Sequence, residues 1–288
     1  QQCFGANRIR SVTAIINGTT NYILTQMLTR SLAYEDALAE AQSLGYAEAD
    51  PRADVEGNDA QEKIALLAAI AYRIALPDLA SVYREGITAI HEQDVRHAQR
   101  LGFVIKLLAL AVREPDGRLD LRVHPTLVPT DHPLSRVDGA YNAVLIEGEP
   151  VGSVMFYGPG AGSGPTASAI VADLINTLID LQSPALELAP PDTNSPDRLP
   201  IAEVRTRFYI RLLARDRPGV IGQLGQIFGH HAVSLESIVQ KNPPRGAAAE
   251  LVIITHNVRE ADLRMALAEI SKTDVLQELC SAIRVLPD

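Results

Sequence analysis

Apolar positions recur along this chain at two spacings, and the spacing says where helices and strands should lie. Residues 8–16, RIRSVTAII, are apolar and β-branched enough for a strand. Asn17-Gly18-Thr19-Thr20 reads as a turn and a helix start, and residues 21–29 continue it with Tyr22, Ile23 and Met27 at helical spacing. Residues 34–44 repeat the pattern, with Leu38, Ala41 and Leu44 on one face and Gly45 as the stop. The acidic segment that follows is expected as an irregular loop. Residues 59–73, with Ile64, Leu66, Leu67, Ile70 and Ala71, predict a helix apolar enough to be mostly buried.

From Gly86 the texture changes. A helix over 94–101 precedes strand-like runs at 104–112, 119–128, 142–146 and 150–157, with turn signals at Pro115-Asp116-Gly117 and Glu147-Gly148. This predicts a mixed sheet covered by helices on one side. A glycine-rich stretch, Gly158 to Gly164, feeds a long helix over 166–181. Such a loop points backbone N–H groups and the positive end of a helix dipole at a possible anion, although many glycine loops are only tight turns. Residues 183–204 hold five prolines and read as a linker. It should let the remainder dock away from the first core. That remainder predicts strand 207–214, helix 218–230, strands 233–240 and 248–256, helix 259–272 and strand 282–286, the βαββαβ order of a ferredoxin-like unit. The expected fold class is α+β, with domains at 1–182 and 205–288 joined by 183–204.

Composition narrows the function classes. The chain has 288 residues, enough for two domains, and 47% hydrophobic with 21% charged residues is ordinary for a globular protein. A net charge of −9 argues against nucleic acid or an anionic membrane surface as partner. The two cysteines, Cys3 and Cys280, lie at opposite ends, with no spacing for a disulfide framework or a zinc site. No signal-peptide pattern opens the chain, so the expected compartment is the cytoplasm. Without Trp and with few aromatics, a sugar-stacking cleft built on paired carboxylates is disfavoured.

The densest chemistry lies in residues 46–63, YAEADPRADVEGNDAQEK. Glu48, Asp50, Asp54, Glu56 and Asp59 precede Lys63, which follows Asp59 by one helical turn. In a helix starting near residues 57–58, positions i and i+4 lie about 40° apart on one face. An ammonium beside a carboxylate is a proton donor with an orienting partner. The same spacing also describes an ordinary helix-surface pair worth a few tenths of a kcal/mol.

Four segments in order, INGTTNYIL at 16–24, GYAEADPRADVEGNDAQEK at 45–63, HPLSRVDGAYNAV at 132–144 and YGPGAGSGPTASAIVADL at 157–174, resemble the homoserine dehydrogenase family. The stretch RFYIRLLARDRPGVIGQLGQIF resembles an ACT domain, a small-molecule regulatory module. The resemblance implies NAD(P)-dependent interconversion of L-homoserine and L-aspartate 4-semialdehyde, on the route to threonine, methionine and isoleucine. It implies Lys63 as the acid, Asp59 as its partner, and Glu48, Asp54, Asp59, Gly18, Thr19 and Tyr46 around the substrate. Gly160 and Gly162 would touch NADP or NAD. Asp216, Gly219 and Val220 would meet an amino-acid effector, threonine by the family's habit. No metal is expected from these residues, the family's sodium-type site lying before residue 8. Family members carry a dinucleotide-binding domain ahead of this point, and its G-x-G-x-x-G turn does not occur in the first 150 residues. The chain is therefore expected to be a fragment or one product of a split gene, inactive without that domain, and to pair with itself through both domains. The competing reading is a non-catalytic amino-acid sensor.

Overall fold

The computed structural model describes residues 4–182, 196–241 and 248–287. β1 (Arg8–Ile15) leads into α1 (Gly18–Arg30), then α2 (Tyr34–Ser43), the single turn α3 (Arg52–Val55) and α4 (Asn58–Tyr72). β2 (Tyr83–Arg84), α5 (Glu92–Arg100), β3 (Phe103–Arg113), β4 (Leu119–Pro129), β5 (Tyr141–Glu149), β6 (Gly152–Pro159) and α6 (Ser163–Gln182) complete the first part. The second part is β7 (Arg205–Ala214), α7 (Val220–His230), β8 (Leu235–Lys241), β9 (Ala249–Thr255), β10 (Val258–Arg259), α8 (Glu260–Ile270) and β11 (Leu276–Val285).

These strands form one sheet in the order β6-β5-β1-β3-β4-β11-β7-β9-β8. β1 lies between β3 and β5, antiparallel to both. Period-two alternation sorts the β3 side chains: Ile105, Leu107, Ala109 and Ala111 pack in one core with Ile64 and Ala68 of α4 and with Ile23 and Met27 of α1. Val104, Leu108 and Leu110 face the other way, with Leu134, Val137 and Leu145. The second part has the order β11-β7-β9-β8, with α7 and α8 on one face over Phe208, Ile210, Leu212, Leu251 and Ile253.

Several expectations shift. The acidic segment is not wholly irregular, because α3 sits inside it. α4 packs one face on the sheet while Leu66 and Ile70 on its outer side are half exposed, so it is less buried than its composition suggests. β11 starts six residues earlier than expected at Leu276, where Gln277, Glu278 and Ser281 interrupt the apolar pattern and two register shifts accommodate them. α6 carries Ile170, Leu174 and Leu178 on an exposed surface.

The largest correction concerns how the two parts meet. A module docked away from the first core was expected; instead β11 pairs in parallel with β4 (Arg284 with Thr126, Val285 with Leu127) and makes the two parts one sheet. Tyr209, Val252, Ile254, Ile283 and Val285 of the second part belong to the same core as α4 and β3. Most of the proline-rich segment, 183–195, lies outside the described residues; its end is stitched to β4 by Leu119 N to Asp197 O and Leu199 N to Leu119 O, both 2.9 Å. Proline content says nothing about whether the elements a connection joins touch.

The seam also buries charge. Asp94, fully buried on α5, accepts from Tyr209 Oη at 3.1 Å, Arg211 Nε at 2.6 Å and Ser281 Oγ at 2.6 Å, all in the second part. Burial disfavours its ionised form, yet the bonds from Arg211 and Ser281 and the guanidinium charge hold its carboxyl below the usual carboxylate range. On the opposite face Arg284 reaches Glu260 Oε2 at 2.8 Å, Glu85 Oε2 at 2.8 Å and Tyr83 Oη at 3.1 Å. Among the described residues no helix is long and apolar enough to cross a membrane.

Candidate active site

The turn between β1 and α1 is the anchor. Asn17 is the N-cap of α1 in extended backbone, and its Oδ1 accepts from Thr20 N at 2.9 Å. Its Nδ2 donates to Asp54 Oδ1 at 2.7 Å and to Asp59 Oδ2 at 2.9 Å. α4 begins after Gly57, whose φ of +84° suits a glycine, and the helix brings Asp59 and Lys63 to the same side. Lys63 Nζ donates to Asp59 Oδ2 at 2.8 Å and to Ile16 O at 3.2 Å. The lysine side chain is 47% exposed and the aspartate 30%. The ammonium is thus anchored on one side and open on the other, as a proton donor to an incoming ligand must be.

Thr19 Oγ1 donates to Tyr46 O at 2.6 Å, fixing the start of the acidic segment against α1. The Tyr46 ring, half exposed, packs on Tyr22 with centroids 4.8 Å apart. Burial and the hydrogen bond to Glu40 push the Tyr22 hydroxyl up to about 12. A Cβ on Gly18 would meet Ala140 O at 2.9 Å, so only glycine lets the 139–141 segment approach. The structure therefore brings Gly18, Thr19, Tyr46, Asp54, Asp59 and Lys63 together. It does not tie Glu48 in: that residue is exposed, and among the described residues its backbone carbonyl is engaged, by Gln42 Nε2 at 3.0 Å.

Besides Asn17, two residues with roles here escaped the sequence reading. Asn21 Nδ2 is shared among Val137 O, Gly139 O and Tyr141 O at 2.9, 2.9 and 3.1 Å. Lys106, buried on β3, reaches Val137 O at 2.6 Å, Asp138 Oδ1 at 3.1 Å and Asn21 Oδ1 at 3.2 Å. Burial lowers its affinity for a proton against the pull of Asp138. Both hold the 137–141 segment beside Gly18. The second asparagine of INGTTN was legible as a helix residue; Lys106 sits in an apolar strand run with nothing nearby in sequence to mark it.

The glycine-rich loop ends the β5–β6 hairpin. A Cβ on Gly160 would lie 1.9 Å from Asn142 Nδ2, and Gly162 has φ +111°. Gly162 is favoured by its left-handed backbone, and a side chain at Gly160 would require the Asn142 amide to move. Gly158 and Gly164 have open space where a side chain would be, and the loop is largely exposed at the N-terminus of the 20-residue α6. An exposed, glycine-rich loop at a helix N-terminus leaves backbone N–H groups open to an anionic group such as those of a nicotinamide cofactor.

On the second part a cavity of about 390 Å³ is lined by Asp216, Arg217, Gly219, Val220, Gln240 and Leu251 among others. Asp216, Gly219 and Val220 are thus together, with Gly219 at φ +91° capping α7. That helix begins at Val220, two residues later than expected, because Gly219 is left-handed. At its other end His230, His231 and Glu269 place three possible ligand atoms within 4.8 Å of one another, a grouping across two helices that spacing alone did not suggest.

Fold and site together define an α+β protein with a lysine–carboxylate cluster on one part and a ferredoxin-like module with a pocket on the other. Residues 1–175 match the family described as Homoserine dehydrogenase, and residues 208–274 match the ACT domain. A homoserine dehydrogenase from Synechocystis sp. is 50% identical over 297 residues, covering 99% of this chain and 68% of that relative. The crystal structure of a homoserine dehydrogenase from Thiobacillus denitrificans superposes with a TM-score of 0.91 at 41% identity, over 98% of this chain and 65% of that one. A hyperthermophilic archaeal homoserine dehydrogenase in complex with NADPH gives 0.52 at 31% identity, over 63% of this chain and 50% of that one. The chain belongs to the homoserine dehydrogenase family. It spans about two thirds of the length of the relatives it matches.

Proposed function

We propose that this chain supplies the substrate site and the regulatory module of an NAD(P)-dependent homoserine dehydrogenase. The observation that carries the reading is the cluster Lys63–Asp59–Asn17–Asp54, in which one ammonium is held by a carboxylate and a carbonyl and remains half exposed. The nicotinamide cofactor supplies hydride transfer when bound. Gly160 and Gly162, in the loop at the α6 N-terminus, would lie against that cofactor. Lys63 gives its proton to the oxygen of the semialdehyde as that oxygen gains charge, and takes one back from homoserine in reverse. Asp59 keeps the ammonium oriented. Asp54 and Asp59 offer acceptors for the substrate's own ammonium, with Gly18, Thr19 and Tyr46 around it, and Glu48, exposed in this structure, would join them when substrate binds.

The organisation that fits is a catalytic domain at 1–182, a connection at 183–204 and an ACT domain at 205–288, acting in the cytoplasm as a homo-oligomer. The α7 pocket suits an amino acid, whose carboxylate would face the helix N-terminus; threonine is the effector proposed. Because β7 and β9 reach both the pocket and α5, its signal can pass within one chain.

The test is reduction of aspartate 4-semialdehyde by NADPH and NADH in the full-length enzyme, with Lys63→Ala and Asp59→Asn beside wild type. Asp59→Asn should slow turnover and weaken homoserine binding. A Lys63→Ala enzyme keeping more than about a tenth of the rate removes Lys63 as the acid, since such catalysis is worth 10²–10⁴-fold. Calorimetry of the whole chain with threonine, serine, methionine and lysine tests the pocket.

A further inference from the structure

We propose that Asn17 is the positioning residue of this site: its side-chain amide clamps Asp54 and Asp59 together and holds Asp59 against Lys63. The inference rests on the catalytic reading above.

Asn17 is 5% exposed, and both halves of its amide are engaged. The carbonyl oxygen accepts from Thr20 N and Thr20 Oγ1, each at 2.9 Å, which fixes the amide plane on the first turn of α1. The amino group then has one direction to point, and it divides its donors between Asp54 at 2.7 Å and Asp59 at 2.9 Å. Two carboxylates brought to one nitrogen repel each other, and a neutral two-proton donor between them offsets that repulsion without consuming the charge a substrate ammonium needs.

The oxygen chosen on Asp59 matters. Oδ2 accepts from both Asn17 Nδ2 and Lys63 Nζ, so the amide stops the carboxylate from turning that oxygen away from the ammonium. Lys63's other acceptor is Ile16 O, the carbonyl directly before Asn17. The Ile16–Asn17 step therefore touches both members of the pair. A helix cap alone does not need this residue, since serine or aspartate caps as well as asparagine. A clamp needs an acceptor for the helix and two N–H donors on one short side chain, and asparagine has both.

The experiment uses the full-length enzyme with Asn17→Ser and Asn17→Asp, and Lys63→Ala as a control. Asn17→Ser keeps a cap acceptor, so its melting temperature should stay within a few degrees of wild type, while Asn17→Asp also adds a third carboxylate and should melt lower. Asn17→Ser should lower kcat by about ten- to a hundredfold, the cost of a slightly misplaced catalytic group. Asn17→Asp should fall at least as far and move the alkaline limb of its kcat–pH profile upward, because a third carboxylate beside the ammonium favours its protonated form. Wild-type kcat and an unchanged profile in both variants would overturn the proposal. So would rates that fall only with the folded fraction while the residual activity keeps the wild-type profile. If Lys63→Ala retains more than about a tenth of the rate, the catalytic reading fails instead, and the two failures are told apart.

Discussion

The site around Lys63 and the seam around Asp94 are both built from carboxylates and cations, and they treat them in opposite ways. At the seam the charged groups are buried and densely bonded: the Arg211 and Asp94 side chains are 3% and 0% exposed. At the site Lys63 and Asp59 are held by few bonds and stay accessible, 47% and 30% exposed. A buried pair costs desolvation twice and leaves nothing for a ligand, so it fixes how elements sit. A half-exposed pair contributes little to stability and keeps capacity for a substrate.

This contrast predicts that variants at the two places fail differently. Lys63→Ala should lower turnover by about 10²–10⁴-fold in the full-length enzyme while its melting temperature barely moves. A large loss of stability would mean that the pair is structural. Asp94→Ala leaves Arg211 buried without its main partner, and should cost about 3–5 kcal/mol in chemical denaturation. A loss under about 1 kcal/mol would show that the seam relaxes and that the parts are weakly joined.

Gly18→Ala tests the border between the two cases. Its Cβ would press on a backbone carbonyl, Ala140 O, and the cost should be about 1–3 kcal/mol together with a lower rate, because the same turn carries Asn17. An alanine variant with wild-type stability and rate would show that the 139–141 segment can retreat freely.

The smallest effect concerns pH. His124 is buried on β4 near Arg284 and Arg122, and burial followed by those two charges pushes its proton affinity well below the ordinary 6.5. The folded protein keeps it neutral while the unfolded chain takes a proton. Its contribution is therefore complete above pH 6.5 and is lost as pH falls, by up to about 1.4 kcal/mol per pH unit. The difference in unfolding free energy between wild type and His124→Asn, followed from pH 7 to pH 5, should widen in the variant's favour. A constant difference would mean that His124 takes up its proton equally in the folded and unfolded states.

Sequence alone determined the local elements and marked the segment where chemistry could lie, with the family resemblance saying which chemistry. Apolar spacing located β1, α1 and α4 within a few residues and gave the βαββαβ order, missing the start of β11, because each depends on neighbours one to four positions away. The segment 46–63 announced its carboxylates and lysine, since one helical turn is visible in a string of letters. The tertiary structure alone decided the rest. Asn17 lies 37 and 42 residues from the two aspartates it binds, and Lys106 lies 85 from Asn21. Such pairings depend on how β1, β3 and α4 stack. The shared sheet was hidden for the same reason: β4 and β11 meet through two pairs of residues far apart in the chain, and a proline-rich connection carries no record of where its far end docks.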